Sequence, residues 1–81
     1  MAAARQPEGE VSLSEYAAFP KLLNNMGNVF KQRILISDNP ELCLARSLEK
    51  YASAESYWNY QNSPYEWAML QKNKAEAKLF Y

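Results

Sequence analysis

The sequence predicts an all-α fold, and three observations support that prediction. Proline favours the first helical position, where its missing N–H has no intrahelical partner, and it pushes the preceding residue towards extended geometry. Three such helix starts are Phe19-Pro20, Asn39-Pro40 and Ser63-Pro64. Apolar residues recur three and four positions apart after them, as one face of a helix requires. The single β-branched run, residues 34–36, has no second run with which to form a sheet.

The first helix, over about residues 20–36, is predicted to be the weakest. Its apolar face is formed by Phe19, Leu22, Leu23, Met26, Phe30 and Ile34. Gly27 lies within it and costs about 1 kcal/mol relative to Ala, so we expect this helix to depend on packing. A strand at residues 34–36 is the alternative. Ser12 and Glu15 have capping-box spacing and predict a separate short turn over residues 12–18, which should end before Pro20.

The second helix is expected over about residues 40–60. Asn39 can cap it, Pro40 can occupy its first position, and Glu41 suits the positive end of the helix dipole. Its apolar stripe consists of Leu44, Ala45, Leu48, Tyr51, Ala52 and Trp58.

The third helix is expected over about residues 64–80, with Ser63 and Glu66 at capping-box spacing. Its apolar residues fall on two sides. One side contains Tyr65, Met69 and Leu79, and the other contains Trp67, Leu70 and Ala77. A helix that is apolar on two sides has two surfaces to pack against.

The domain organisation follows from the length of 81 residues. Residues 1–10, which include Pro7 and Gly9, are expected to form a flexible arm, and residues 11–81 a single small helical domain. A chain of this size buries only roughly 60% of its unfolded surface, so its core is marginal. That leaves open an extended arrangement that is only partly self-packed.

Composition excludes most chemistry. Nine basic residues balance nine acidic ones, there is no His, and there is one Cys. These counts exclude a His-based triad, a His-ligated metal and an internal disulfide, and a net charge of zero disfavours nucleic acid. We therefore expect no enzyme activity, no cofactor, no metal and no small-molecule substrate. Cys43 is read as a packing residue; the alternative is a reactive thiol at a helix N-terminus.

Membrane contact is expected to be peripheral at most. The longest strongly apolar run, residues 34–36, is far shorter than the about 20 residues that a spanning helix needs, so no transmembrane segment is predicted. A candidate membrane-surface patch is formed by Phe30, Lys31, Arg33 and Ile34. The alternative is a solvated helix end, where the dipole favours cations.

Six aromatic residues within 17 positions form the densest feature of the chain and the candidate partner interface. They are Tyr51, Tyr57, Trp58, Tyr60, Tyr65 and Trp67. Tyr and Trp are enriched in interfaces and their hot spots. A mixed interpretation is that some of the rings pack inside the fold and others dock on a partner. One alternative is that all the rings pack around the bend of a helical hairpin. The other is a sugar- or base-stacking platform, although residues 51–71 contain none of the basic side chains that nucleic acid would need.

The chain resembles the small accessory subunits of plant-type mitochondrial complex I (NADH:ubiquinone oxidoreductase). The resemblance rests on the opening MAAARQPEGE without a cleavable presequence, the aromatic tract SYWNYQNSPYEW and the end KNKAEAKLFY. It implies a non-catalytic subunit of the respiratory chain that is peripheral on the inner membrane and contacts protein subunits; lipid contact is expected only from the patch at Phe30, Lys31, Arg33 and Ile34. It transfers no catalytic or cofactor residue. Without the resemblance, the residues indicate a soluble intracellular protein, and the rival hypothesis is a free-standing helical adaptor or assembly factor.

Overall fold

Three helices make up the part of the chain that the computed structural model describes, residues 8–81, with side chains from residue 18 onwards. They are α1 (Glu8–Ile34), α2 (Pro40–Glu55) and α3 (Pro64–Phe80). No strand occurs within residues 8–81, so the predicted all-α class is confirmed. The strand considered at residues 34–36 does not form.

The helices run up, down and up. Contacts fix this order: the Lys31 ammonium of α1 meets the Glu76 carboxylate of α3, and the Tyr81 hydroxyl donates to Glu41 at the start of α2 over 2.7 Å. The Cα radius of gyration is 15.3 Å, against about 12 Å for a compact domain of this length. The larger radius reflects the length of α1: its 27 residues extend about 40 Å, whereas α2 has only 16 residues.

The prediction that Pro20 starts a helix is wrong. Pro20 lies inside α1, which begins at Glu8, so no separate turn exists over residues 12–18. An interior proline removes one backbone hydrogen bond and costs about 3 kcal/mol. Its ring is completely buried, and the tertiary packing of this segment overrides the local preference.

Two other predicted boundaries also change. The second helix ends at Glu55 and not near residue 60, because the backbone tightens there: Tyr57 N–H bonds the carbonyl of Ala54 at 3.0 Å, three residues back. The first helix ends at Ile34, two residues before the predicted end. Of the predicted arm, residues 1–7 lie outside the described residues, while α1 includes residues 8–10.

The two predicted caps have different outcomes. Asn39 caps α2 as expected, because its Oδ1 accepts the N–H of Leu42 at 3.2 Å. Ser63 precedes α3, but its side chain makes no capping hydrogen bond, so the predicted capping box with Glu66 does not form.

Helices α1 and α2 come close together at Gly27. The ring of Tyr51 lies so near that a Cβ on Gly27 would sit 2.5 Å from Tyr51 Cε1. Around this contact, the Ser47 hydroxyl donates to the Gly27 carbonyl at 2.9 Å, and the Tyr51 hydroxyl donates to Asn28 Oδ1. Burial raises the pKa of the Tyr51 phenol, since the charged form would lose hydration.

Helix α3 docks on the same side of α1 through polar groups. Asn73 Nδ2 donates to Asn24 Oδ1 at 2.8 Å, and both side chains are buried. Lys31, only 7% exposed at its side chain, pairs with Glu76 at 2.7 Å and lies 5.8 Å from the centroid of the Phe80 ring. Every buried side-chain nitrogen and oxygen among the described residues has a hydrogen-bond partner, as a stable polar interior requires.

Apolar side chains complete the core around these contacts. Leu23 and Ile34 of α1, Ala54 of α2, and Leu70 and Ala77 of α3 are buried. The half-buried Cys43 packs against this cluster, in agreement with its interpretation as a packing residue. Of the two apolar sides of α3, the one with Leu70 and Ala77 faces inward.

Gly27→Ala is expected to destabilise the fold although Ala favours helix by about 1 kcal/mol. The new methyl group would overlap the Tyr51 ring, and such overpacking typically costs about 1–3 kcal/mol. Urea denaturation followed by circular dichroism measures the change. Asn25→Ala, on the exposed side of the same helix, is the control and should leave stability equal or higher. A Gly27→Ala variant as stable as wild type would contradict the contact.

Glu76→Gln is expected to lower the free energy of unfolding at pH 7, because the buried Lys31 ammonium loses its partner. The hydrogen bond and charge of Lys31 hold the pKa of Glu76 below its ordinary value of 4.5. Because the folded-state pKa is lowered, the ion pair stabilises the fold at pH values above the unfolded-state pKa of the carboxyl group. This stabilisation is lost as the pH falls through the folded-state pKa. The gap between wild type and variant should therefore close below about pH 4. Glu49→Gln, in an exposed pair, should have little effect at either pH.

Candidate interaction surfaces

The six aromatic residues of the predicted partner interface do not share one environment. Tyr51 is fully buried, so its assignment to an interface is wrong: its ring fills the space that Gly27 leaves open between α1 and α2. Tyr57 and Trp58 are half-buried and pack against the core. The ring of Tyr57 also meets Phe19 of α1 edge to face, with centroids 5.4 Å apart.

The other three aromatic residues form what we call the connection surface: Tyr60, Tyr65 and Trp67. Tyr60 and Tyr65 are 66% and 79% exposed, whereas Trp67 is half-buried. The rings of Tyr60 and Trp67 meet edge to face, with their centroids 5.3 Å apart. This contact holds the Tyr60 ring against the first turn of α3. The connection surface thus lies where α2 ends and α3 begins.

The turn that presents Tyr60 is held by two asparagines. Asn59 Oδ1 accepts the N–H groups of Gln61 and Asn62 at 2.9 and 2.8 Å, and Asn62 Oδ1 accepts the N–H of Asn59 at 3.0 Å. Such side-chain bonds satisfy backbone N–H groups in place of the helical hydrogen bonds, and here they hold the segment between α2 and α3. They were not predicted, although the Asn59–Asn62 spacing around the end of the apolar stripe is a signal that could have located the turn.

The charge near the connection surface is mildly acidic. Residues 51–71 contain Glu55 and Glu66 and no basic residue. Glu55 is engaged within the fold, because it accepts a bond from Gln71 and pairs with Lys74 at 3.2 Å. Glu66 is the remaining acid beside the rings. The arrangement provides aromatic contact area and phenolic hydroxyls, which suit the binding of a protein surface.

The four residues of the predicted membrane-surface patch do not form one exposed surface. Lys31 and Ile34 are buried, Phe30 is half-buried, and only Arg33 is exposed. Lys31 faces α3 because Glu76 and the Phe80 ring receive its ammonium. The assignment of Lys31 and Ile34 to a membrane contact is therefore wrong.

A different apolar surface lies on the outer side of α1 and was missed from the sequence. Leu22 and Val29 are 52% and 54% exposed, and Ile36, just beyond the helix, is 84% exposed. Leu22 and Leu23 both belong to the predicted apolar face of the first helix, but only Leu23 is buried. The seven-residue spacing of 22, 29 and 36 was the signal that separates them.

Within the described residues, no three His, Cys, Asp or Glu side chains are grouped so that they could hold a metal ion. None of the described helices is both long and apolar enough to cross a membrane.

Asn59→Ala is expected to loosen the turn, because it removes the acceptor of two backbone N–H groups. The free energy of unfolding should fall by about 1 kcal/mol, and the amides of Gln61 and Asn62 should exchange faster with solvent. Hydrogen exchange measured by NMR resolves these amides. Gln61→Ala keeps both acceptors and is the control. Unchanged exchange in Asn59→Ala would show that the turn does not depend on this side chain.

Comparisons with known proteins give no match: neither a protein-family model, nor a curated protein, nor a solved structure is similar to the chain. The resemblance to complex I accessory subunits therefore stays a prediction from the sequence.

Proposed function

We propose that this chain is a non-catalytic structural subunit that binds protein subunits of a larger assembly through its connection surface. The observation behind the proposal is the exposure of Tyr60, on a turn that Asn59 and Asn62 fix, and of Tyr65, in the first turn of α3. The sequence resemblance suggests the assembly: mitochondrial complex I, with the chain peripheral on the inner membrane.

The energetics of such a surface favour binding. Tyr and Trp are the residues most enriched among hot spots, and truncating one there removes more than about 1 kcal/mol. Rings that are ordered before binding lose less conformational entropy on association. Here the Tyr60–Trp67 contact and the Asn59 hydrogen bonds order the surface in the free chain.

A second candidate is the free-standing adaptor or assembly factor. It is favoured by the core, since Tyr51, Leu70 and Ala77 are completely buried within the chain itself. A chain that buries its own core can exist between binding events. The two candidates use the same connection surface and differ in the lifetime of the complex.

Tyr65→Ala and Trp67→Ala are expected to reduce incorporation into the assembly by about tenfold each, as loss of a hot spot does. Lys72→Ala is the matched control: its side chain is 73% exposed on the same helix, and its contact with Glu76 is a weak one at 4.0 Å. Tagged chains in their native cells would be compared by native gel electrophoresis and mass spectrometry of the co-migrating proteins.

The outcome separates the candidates. Stable co-migration with a large membrane complex supports the subunit, and a small species with transient partners supports the adaptor. Co-migration that falls equally in Lys72→Ala and Tyr65→Ala would contradict the connection surface. Circular dichroism should show that Tyr65→Ala leaves the helical content unchanged, because this ring is largely exposed.

A further inference from the structure

The fold separates charge along its length. Residues 8–20 and 51–71 together contain five acidic residues and no basic residue, whereas residues 21–50 and 72–81 contain eight basic and four acidic ones. Helix α2 runs antiparallel to α1 and α3, so the start of α1, the end of α2 and the start of α3 lie at one end of the bundle. We call this the acidic end, because residues 8–20 and 51–71 meet there.

A contact between two rings joins the two stretches of the acidic end. The centroids of the Phe19 ring on α1 and the Tyr57 ring after α2 are 5.4 Å apart. The glutamates at positions 8, 10 and 15 belong to the part of α1 that begins at this end, so they add charge to it whichever way their side chains point. The dipoles of α2 and α3 offset each other here, because α2 ends and α3 begins. A chain of zero net charge therefore presents one acidic end.

Glu66 is the acid of this end that lies among the rings of the connection surface. It is half-buried in the first turn of α3, and its carboxylate forms no hydrogen bond or ion pair with any described residue. At about 100° per residue, it lies one step round the helix from Tyr65 on one side and from Trp67 on the other. Glu55, by contrast, is paired with Lys74 at 3.2 Å. Glu66 is therefore the charge that a partner can engage.

A carboxylate beside an open aromatic ring suits a guanidinium group. The face of a ring attracts cations, and arginine is the cation found there most often. Its planar guanidinium can stack on the ring and also donate to a neighbouring carboxylate. The ring of Tyr65 is open to such stacking, because this residue is 79% exposed.

We propose that the connection surface docks on a basic protein surface, and that an arginine of the partner stacks on Tyr65 and donates to the Glu66 carboxylate. This inference rests on the proposed function, since it specifies the chemistry of the partner that the connection surface binds. The charge of the whole acidic end speeds the encounter with a basic surface, while the contact at Glu66 slows dissociation.

The charge of the acidic end disfavours the other classes of partner. Nucleic acid and anionic lipid both present negative charge, which this end repels. Two copies of the chain that met through their connection surfaces would bring two acidic ends together, and like charges across an interface are costly. A basic protein surface meets the same charge with attraction.

The test is a change of charge at Glu66 in the full chain, with incorporation measured by native gel electrophoresis of tagged chains in their native cells. Glu66→Gln keeps the shape of the side chain and should lower incorporation about fivefold, and Glu66→Lys should lower it about thirtyfold, because the arginine loses its partner. Glu49→Lys changes the net charge equally at a 59% exposed side chain of α2 and is the control, which should incorporate like wild type. Circular dichroism should show the same helical content in all three variants.

Photo-cross-linking identifies the segment of the partner that lies on the connection surface. A chain with p-benzoylphenylalanine in place of Tyr65 should cross-link to a segment that mass spectrometry shows to contain arginine. Changing that arginine of the partner to glutamate should restore the incorporation of Glu66→Lys. A cross-linked segment without a basic residue, or one from another copy of this chain, would overturn the proposal.

Tyr65→Ala, measured in the same cells, separates this inference from the function on which it rests. If Tyr65→Ala loses incorporation while Glu66→Lys and Glu66→Gln keep it, the arginine contact is overturned and the connection surface stands. If all three variants incorporate like wild type, the connection surface is overturned together with the arginine contact.

Discussion

The contact of the Tyr51 ring with the backbone of Gly27 is the constraint on which the rest of the bundle depends. Only a residue without Cβ lets the ring approach this closely, and the approach brings two further groups into range. Ser47 reaches the Gly27 carbonyl, and the Tyr51 hydroxyl reaches Asn28. Because both bonds depend on the spacing of the helices, they specify the register of α1 against α2 as well as their distance.

The position of α3 is set by contacts with the same side of α1 that carries Gly27. Asn24 and Lys31 lie one turn before and one turn after Gly27, and each has its partner on α3. Breaking one member of such a buried set leaves the other without a partner, which is more costly than the net strength of the bond. Polar complementarity therefore selects this arrangement among the many that would bury Leu23, Ile34 and Leu70 equally well.

Local signals predicted the parts of this structure that local chemistry decides. The Asn39 side chain and the ring of Pro40 act within one turn, and both start α2 where the sequence indicates. Pro20 carries the same local signal, yet it is interior to α1, because its burial depends on residues distant in the chain. From the sequence, Gly27 only lowers the helix propensity of α1. Its role in packing could not be predicted locally, because the Tyr51 ring that it accommodates lies 24 residues later in the chain.

The candidate surfaces also depend on contacts between residues distant in the chain, which local signals do not predict. Composition grouped Tyr51 with Tyr60 and Tyr65, but burial separates them: Tyr60 lies on a turn that Asn59 holds, and Tyr65 lies in the first turn of α3. On α1, the buried side carries Leu23 and Ile34 together with the polar residues Asn24 and Lys31, while Leu22 and Val29 are exposed. Because apolar residues occur on both sides of this helix, their pattern alone did not separate the buried ones from the exposed ones.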